Sequence, residues 1–389
     1  MRIALIGPVY PFKGGISHYT GMMSRALSKK HEVSVISYKM QYPKLLFKKE
    51  QRDYSNDSFK VEDAEFWLNT ANPFNIMNTA KKIRALKPDL VIVQWWHPYF
   101  SPCYRILRSC LKGIPMMYVC HNVFPHERFP MDRALTKSVL KKGDMFIVQA
   151  NGDAQDLISI KPGARYIETP HPTYDAFKMQ NISRSESREM LGIGEDERII
   201  LFFGFVREYK GLKHLIKAMP AIKEKTGARL MVVGDFGDSR QEYRELIDEV
   251  GASDVIETVE EYVPDSEVEK YFAACDIVAL PYESATQSGI VQIAFGFEKP
   301  VIVTNVGGLP EVVEDGKTGF VIEPKNSVAI ADAVGRFFAS DSTAFSEAVR
   351  REAYRFSWDR MTEVIETLYN NSFGDKPDIG MKGEVSIDA

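Results

Sequence analysis

Short, fully apolar runs rich in β-branched residues recur along this chain, separated by helical or loop stretches. In the first half they lie at 2–7, 33–38, 90–94, 115–120 and 145–149, and in the second at 199–203, 229–233, 255–258, 277–280 and 301–304. Runs that are apolar throughout, rather than alternating, indicate parallel strands covered by helices on both faces. The pattern therefore predicts an α/β protein of two doubly wound, Rossmann-like domains in tandem.

The two series of strands meet in a stretch that resists helix formation. Thr169-Pro170-His171-Pro172 holds two prolines, and the polar residues up to about Asp196 suit a connector. The sequence predicts a first domain over 1–170, a second over 171–355, a C-terminal helix over 356–371 that packs back toward the first domain, and a flexible tail over 372–389. Ligands bind beyond the carboxyl ends of parallel strands, so we expect two domains facing across a ligand-binding cleft.

Charge also divides the chain. The first 170 of the 389 residues hold 25 Lys and Arg against 14 Asp and Glu, whereas the remainder hold 24 against 39. A basic half is typical of a protein that meets an anionic membrane surface, a phosphorylated lipid or a nucleic acid, and equally of an ordinary solvated face. Nucleic-acid binding is the weakest of these hypotheses, because no recognisable binding module accompanies the basic residues.

The segment 39–49 interleaves Lys residues with Tyr42, Leu45 and Phe47. It predicts either a contact with an anionic bilayer or a solvated loop with a few buried anchors, and Pro43 favours the loop because it interrupts any helix. No run approaches the ~18 apolar residues of a membrane span, and residues 2–7 are expected to form a strand rather than a signal peptide. A cytoplasmic location is expected, with peripheral attachment to the inner face of the plasma membrane as an open alternative.

The loop that follows the run 277–280 is rich in small and hydroxylated residues and opens an apolar helix. Thr286, Gln287, Ser288 and Gly289 stand where the helix begins. Exposed backbone N–H groups and the helix dipole make such a site favourable for phosphate. The alternative is plain N-capping by Thr286 or Ser288, and both uses can coexist.

In each series, the loop that follows the first strand is also a candidate binding loop. The loop from Gly204 to Gly211 carries Arg207 and Lys210, and two cations at a strand end favour a diphosphate over a solvated surface. Gly14-Gly15 lies at the corresponding loop of the first series, where missing side chains let backbone approach a ligand. A simple turn into the helix explains the glycine pair equally well.

Two histidines fall at strand ends of the first half. His97 follows the run 90–94, and His121, with Asn122 beside it, follows the run 115–120. A single histidine is more often structural than catalytic, but two at ligand-facing ends make both uses comparable. His171, flanked by prolines, is expected to belong to the hinge.

The sequence lacks the motifs that are typical of several other kinds of active site. The chain holds no G-x-G-x-x-G after its first strand, no phosphate-binding P-loop motif and no Gly-x-Ser-x-Gly elbow. Its four cysteines form no C-x-x-C pair, and no H-x-x-x-H or paired-carboxylate cluster indicates a metal. We therefore expect reduced thiols, no bound metal and no cofactor.

The stretch Val303–Val313, continued by Asp315–Phe320, resembles the second domain of glycosyltransferase family 4. The resemblance extends to nearly the whole chain through Gly14-Gly15, His121, Lys210-Gly211, Val233-Gly234-Asp235, the stretch from Ala274 to Pro281, and Lys299-Pro300-Val301. It implies the GT-B architecture and sugar transfer from a nucleotide-sugar with retention at the anomeric carbon, without a required metal. It also implies that the first domain carries the acceptor and that His121 contacts the donor sugar.

The sequence departs from the family pattern at three positions. Members usually carry two glutamates with seven residues between them, and ungapped placement from Pro281 to Pro300 puts Ala285 and Ile293 there. Glu283 and Gln292 lie nearby and could supply polar groups to the sugar and the ribose after a register shift. Phe205 stands where the family has an arginine, and Arg207 is the candidate replacement.

The resulting hypothesis is retaining transfer from a nucleotide-diphosphate sugar to a glycan or lipid-linked acceptor, in polysaccharide or glycoconjugate synthesis. His121, Arg207 and Lys210 are the catalytic candidates, and His97 and Asn122 are the acceptor-side candidates. The donor-binding candidates are Gly14, Gly15, Gly204, Tyr262, Glu283, Thr286, Gln287, Ser288, Gly289 and Gln292. Two alternatives stay open: a nucleotide-sugar epimerase or hydrolase of the same fold, and a non-catalytic nucleotide-sugar-binding subunit.

Overall fold

A computed structural model describes residues 1–45, 50–54, 57, 60–125, 130–173 and 177–374. The chain divides into two compact units. The first comprises Met1–Pro170 with the segment from Trp358 onward, and the second comprises His171–Ser357. Each unit holds one parallel sheet with its own buried core.

The first unit is built on a seven-stranded parallel sheet of order β3-β2-β1-β4-β5-β6-β7. The strands are β1 Arg2–Ile6, β2 Glu32–Met40, β3 Glu65–Asn69, β4 Leu90–Trp95, β5 Met116–Cys120, β6 Met145–Val148 and β7 Tyr166–Glu168. The intervening helices are α1 Gly15–Ser28, α2 Pro73–Ala85, α3 Ser101–Cys110, α4 Asp132–Leu140 and α5 Asn151–Ile160. Strand order reverses between β1 and β4, which is where doubly wound sheets bind ligands.

The second unit repeats the plan with six parallel strands in the order β10-β9-β8-β11-β12-β13. The strands are β8 Ile199–Phe203, β9 Arg229–Val233, β10 Ile256–Val259, β11 Ile277–Leu280, β12 Val301–Thr304 and β13 Gly319–Ile322. The helices are α6 Arg184–Leu191, α7 Leu212–Thr226, α8 Arg240–Glu249, α9 Asp265–Ala274, α10 Gly289–Gly296, α11 Leu309–Val312, α12 Ser327–Ala339 and α13 Ser342–Arg351. Here the order reverses between β8 and β11.

A last helix, α14 Trp358–Phe373, belongs to the first unit. Its first residue, Trp358, packs edge-on against Tyr19 of α1 with ring centroids 4.9 Å apart, and Glu366 pairs with His31 at 2.9 Å. The helix begins two residues later than the sequence predicts and also ends two residues later. The predicted flexible tail lies outside the described residues from residue 375 onward.

The segment singled out for its Lys and aromatic residues is anchored at Tyr42. Trp96 donates a hydrogen bond to the Tyr42 hydroxyl at 3.2 Å, and burial raises the pKa of Tyr42 to about 12. Leu45 is 87% exposed, while residues 46–49 lie outside the described part of the chain. Of the helices in the described ranges, none combines the length and apolar character needed to cross a bilayer.

Candidate active site

The loops that follow β8, β9 and β11 are joined by backbone hydrogen bonds at the carboxyl edge of the second sheet. The Val206 N–H donates to the Asp235 carbonyl at 2.9 Å, and the Glu283 N–H donates to the Tyr209 carbonyl at 2.6 Å. These contacts hold the Gly204–Gly211 loop between its two neighbours. The loops that carry Gly204, Glu283 and Thr286–Gly289 therefore form one surface at the point where strand order reverses.

The loop after β12 packs against the loop that precedes α10. Gly307 has a φ of +53°, and a Cβ at this position would lie 1.6 Å from the Ala285 carbonyl oxygen. Next to it, the Gly308 N–H donates to the Thr286 carbonyl at 2.7 Å. Only glycine permits both this φ and this close approach to Ala285. Gly307 therefore sets the position of the loop that precedes α10.

Lys210 is a buried cation at the centre of this surface. Its side chain is folded back over the strand end, and Nζ lies 3.1 Å from where a Cβ on Gly204 would be. The residue is 9% exposed, and no carboxylate among the described residues lies within the 4 Å ion-pair distance of Nζ. Burial lowers the pKa of Lys210, and the nearby charge of Arg207 lowers it further. A buried ammonium without a counter-ion is the arrangement expected where an anionic ligand binds.

Arg207 lies on the exposed rim beside Lys210. Its Nη1 donates to the Val206 carbonyl at 3.0 Å, and its guanidinium lies 5.6 Å from the centre of the Phe205 ring. Phe205 in turn faces Tyr262 with ring centroids 6.3 Å apart, and both rings are nearly half exposed. Phe205 thus forms an aromatic pair with a predicted donor-binding residue.

The start of α10 shows that capping does occur at this predicted phosphate site. The Ser288 Oγ accepts a hydrogen bond from the Ile290 N–H at 3.2 Å and pairs with the Tyr282 hydroxyl at 3.2 Å. Gly289 is the first residue of the helix, and Thr286 and Gln287 lie in the loop before it. The Ser288 hydroxyl is therefore engaged by the fold, and its predicted contact with phosphate stays a prediction.

Gln292 lies one helical turn after Ser288 and is only 2% exposed. Within the part of the chain that is described, its Oε1 atom has no hydrogen-bond partner. A buried acceptor without a donor costs about 1–3 kcal/mol. Residues spaced by four lie on one face of a helix, so this acceptor is on the same face of α10 as its cap.

Glu283 is surrounded by three basic side chains. Its carboxylate accepts from Lys213 Nζ at 3.0 Å, His214 Nε2 at 2.9 Å and Lys325 Nζ at 3.0 Å. Partial burial by itself would raise the pKa of Glu283, but the hydrogen bonds from the two lysines and the histidine outweigh it and lower the pKa to about 2. The carboxylate ties the loop after β11 to the start of α7 and to the loop after β13.

We expect Glu283→Gln to lower the free energy of unfolding by about 2 kcal/mol at neutral pH, because three basic groups lose their anion. The pKa of the carboxyl is lowered from its ordinary 4.5 to about 2, so the stabilisation is present above 4.5 and is lost as the pH falls toward 2. Urea unfolding of wild type and variant across this range measures the difference. Glu314→Gln, which removes an exposed pair with Lys317, is the control and should cost below about 0.5 kcal/mol. Equal losses in both variants at neutral pH would contradict the role of the cluster.

In the first unit, His121 is held at the carboxyl edge of the sheet by Gln94. The Gln94 amide nitrogen points to Met23 Sδ at 3.4 Å, so its carbonyl oxygen accepts from His121 Nε2 at 2.7 Å. The His121 ring also packs edge-on against Tyr19, with centroids 4.6 Å apart. The ring is thereby fixed in orientation, with the proton on Nε2.

The remaining first-unit candidates lie along the same edge. The His97 Nδ1 accepts from the Tyr99 N–H at 3.1 Å and so caps the short 3₁₀ turn Pro98–Phe100, which is a structural use of this ring. Asn122 follows His121 at the end of β5. Gly14 has a φ of +103° directly before α1, and no described atom lies within 4 Å of a Cβ built on it, so its backbone is accessible. Gly15 is the first residue of that helix.

Sequence reasoning missed four residues that the structure places beside the candidates. Gln94 orients His121, and Lys213, His214 and Lys325 surround Glu283. Lys213 and His214 lie three and four residues after Lys210, so the basic cluster there was visible in the sequence. No sequence pattern around Lys325 predicted its contact with Glu283. In the described part of the chain, no group of three or more His, Cys, Asp or Glu is placed to hold a metal ion.

Two family models match this chain. Residues 13–170 match the family model described as Glycosyltransferase Family 4, and residues 183–356 match the model described as Glycosyl transferases group 1. The chain belongs to the family 4 glycosyltransferases. One matched range lies in each unit, and the family predicted from the motifs around residues 303–320 is confirmed.

Individual relatives are distant. A protein of Methanocaldococcus jannaschii named as a glycosyltransferase is 31% identical over 190 residues, which are 47% of this chain and 47% of that protein. The D-inositol 3-phosphate glycosyltransferase of Mycolicibacterium smegmatis is 27% identical over 251 residues, which are 63% of this chain and 57% of that protein. This glycosyltransferase chain spans about half the length of the curated relatives it matches.

The crystal structure of Anabaena HepE in complex with UDP-glucose matches this glycosyltransferase with a TM-score of 0.70 at 19% identity. The match covers 95% of this chain and 100% of that chain. At this identity the likeness concerns the fold alone, and it confirms the predicted α/β, GT-B class with two Rossmann-like units.

Proposed function

We propose that this glycosyltransferase moves a sugar, with retention at the anomeric carbon, from a nucleotide-diphosphate sugar to a glycan or lipid-linked acceptor. The observation that carries the proposal is the buried Lys210 ammonium, which has no carboxylate within ion-pair distance among the described residues and lies over Gly204 at the edge of the second sheet. A diphosphate leaving group supplies the missing anion. The HepE complex names UDP-glucose, and this makes UDP-glucose the first donor to test.

Charge development on the leaving group explains why the cations are at this position. As the glycosidic bond breaks, negative charge grows on the diphosphate oxygen, and a fixed ammonium lowers the barrier more than it stabilises the bound donor. Lys210 supplies this charge from a desolvated position, and Arg207 adds a second donor from the rim. With positive charge provided by side chains, the proposed transfer requires neither a metal nor another cofactor.

Other groups are assigned to recognition. The unsatisfied Gln292 Oε1 is a ready acceptor for a hydroxyl of the donor, and the exposed Phe205–Tyr262 pair offers a flat surface to its base. The amides near Thr286–Gly289 are assigned to the phosphates. In the first unit, His121 is assigned to the donor sugar, and His97 and Asn122 to the acceptor.

Location follows from the same proposal. The four cysteines all lie within the described residues and are free thiols, which favours a reducing compartment such as the cytoplasm. A lipid-linked acceptor would place the enzyme at the inner face of the plasma membrane. The expected role is polysaccharide or glycoconjugate synthesis.

The decisive experiment is a donor screen followed by a transfer assay. Thermal shift against UDP-, GDP-, ADP- and CMP-sugars identifies the donor, and NMR of the product reads the anomeric configuration. Donor binding with transfer and retention is the expected result. Epimerised donor, or rapid sugar release without acceptor, would favour the epimerase or hydrolase alternative, and binding without turnover across an acceptor panel would favour a non-catalytic subunit.

Arg207→Ala should reduce kcat/KM by about 10- to 100-fold, because one charge-assisted donor to the diphosphate is lost. The side chain is exposed and lies on the rim, so the circular dichroism spectrum and Tm should stay unchanged. Lys217→Ala, which removes an exposed cation from α7, is the matched control and should leave kcat/KM within about twofold. Wild-type turnover in Arg207→Ala would remove this residue from the mechanism.

A further inference from the structure

Helices α2, α3 and α4 of the first unit enclose an open groove of about 420 Å³. Its apolar lining comes mainly from Met77, Ile106 and Leu135, with Pro102 and Cys110 completing the wall. Two more apolar side chains are exposed on these elements: Phe74 of α2 is 83% exposed, and Met131, which directly precedes α4, is 70% exposed. Clusters of exposed apolar side chains of this kind mark interaction surfaces.

The apolar residues are arranged in stripes along the helices. Phe74, Met77 and Lys81 are spaced by three and four along α2, so they share one face of that helix. Met131 and Leu135 are spaced by four at the start of α4, where the Leu135 N–H donates to the Met131 carbonyl. Arg84 fastens α2 to the end of α3 by donating to the carbonyls of Cys110 and Lys112 at 2.6 Å each. The exposed side chains therefore project from a firmly held layer of helices.

The same surface is basic. Arg105 and Lys142 line the groove, Lys81 lies on the exposed stripe of α2, and within the described ranges no carboxylate is within ion-pair distance of these three cations. Asp132 is the one carboxylate that the three helices carry, and it is only 4% exposed. The cations are therefore available to anions in solution.

We propose that this α2–α3–α4 face docks on the surface of a lipid bilayer that contains anionic lipids. Phe74, Met77 and Met131 enter the interface, while Lys81, Arg105 and Lys142 contact lipid phosphates. Protruding apolar side chains next to unopposed cations are the combination that interfacial binding requires, because each contributes separately to the affinity. A nucleic acid would use the cations but would leave the exposed apolar stripes without a partner.

Docking through this face would place the acceptor-side candidates near the bilayer. This role in transfer rests on the proposed function. The helix α3 begins four residues after His97, and α4 follows β5, the strand that ends directly before His121. Both helices thus start at the sheet edge that carries the acceptor-side candidates. A docked bilayer would bring a lipid-linked acceptor to that edge. Vesicle binding is measured without donor or acceptor, so its outcome is independent of the transfer assay.

The test is cosedimentation of the full chain with sucrose-loaded vesicles of phosphatidylcholine containing about 30% phosphatidylglycerol. We expect binding to these vesicles, little binding to phosphatidylcholine alone, and release by salt. Arg105→Gln/Lys142→Gln should weaken the partition coefficient by roughly 30-fold. The control Lys217→Gln/Arg351→Gln removes the same charge from the second unit and should change it by less than about twofold.

Apolar insertion has a separate readout. A tryptophan at Phe74→Trp should be quenched by brominated lipid in the anionic vesicles, whereas one at Val328→Trp, an exposed site of the second unit, should not. Phe74→Ser/Met77→Ser should lower the partition coefficient without changing Tm. Equal losses in the two charge variants, or equal binding to neutral vesicles, would overturn the proposal. If the protein bound single-stranded RNA, and if this binding required Arg105 but was unchanged in Phe74→Ser, the face would be assigned to nucleic acid instead.

Discussion

Lys210→Met is expected to reduce kcat/KM for sugar transfer by about 10²- to 10³-fold, the loss typical of one fixed donor to a developing anion. Methionine is an unbranched side chain only one atom shorter than lysine, and it carries no charge. The ammonium is buried and has no carboxylate within ion-pair distance among the described residues, so its removal relieves a desolvation cost and should not lower Tm. Steady-state kinetics and differential scanning calorimetry measure the two effects on the same preparation.

A second buried lysine of the same unit provides the control. Lys299 donates to the carbonyls of Ala273 and Cys275 at 3.1 and 2.8 Å, and burial lowers its pKa as it does for Lys210. Lys299→Met leaves two carbonyls without a donor, so Tm should fall while the folded enzyme keeps its turnover. The assignment of Lys210 to the leaving group would be wrong if Lys210→Met lost stability and retained activity.

Gly307→Ala should lower the free energy of unfolding by about 3 kcal/mol or more and should also impair transfer. The added Cβ would lie 1.6 Å from the Ala285 carbonyl oxygen, so the loop before α10 must move. That loop carries Thr286 and Gln287, which are assigned to the donor phosphates. Urea unfolding gives the stability change, and kinetics at a temperature where the variant is folded give the change in activity.

The control for this prediction separates the steric clash from the backbone strain. Gly316 has a φ of +75°, and no described atom lies within 4 Å of a Cβ built there. Gly316→Ala should therefore cost only the strain of a left-handed backbone, about 1 kcal/mol. If the two alanine variants lost the same stability, the close approach between Gly307 and Ala285 would have no energetic role.

The central strands were predictable because each is buried on both faces. In β5 and β8 every residue is buried, so the apolar run itself shows the strand. The pattern missed β3, β7 and β13, which lie at sheet edges. There, the side chains are partly exposed, as in the Glu65–Asn69 strand, where only Leu68 is buried. An edge strand is apolar on part of one face, and a short run with that pattern is indistinguishable from a loop.

The candidate site was predictable where a motif occupies one loop. Arg207, Lys210 and Gly204 lie within eight consecutive residues, and the fold brings them together without help from distant segments. The uses of single side chains were less predictable. The structure commits the His97 ring to capping a turn and the Ser288 hydroxyl to capping α10, because backbone N–H groups at helix starts compete with a ligand for the same acceptors.

By itself, the order of apolar runs determined two parallel α/β units, and the residues around 303–320 determined the family. Only the tertiary structure decided which charges neutralise one another. Glu283 meets Lys325 because β11, β12 and β13 are adjacent in the sheet, and Lys210 keeps its charge uncompensated because its loop brings no carboxylate, among the described residues, into ion-pair distance. Contacts between strand ends depend on sheet order and on loop backbones such as that of Gly307, and local sequence patterns do not encode either.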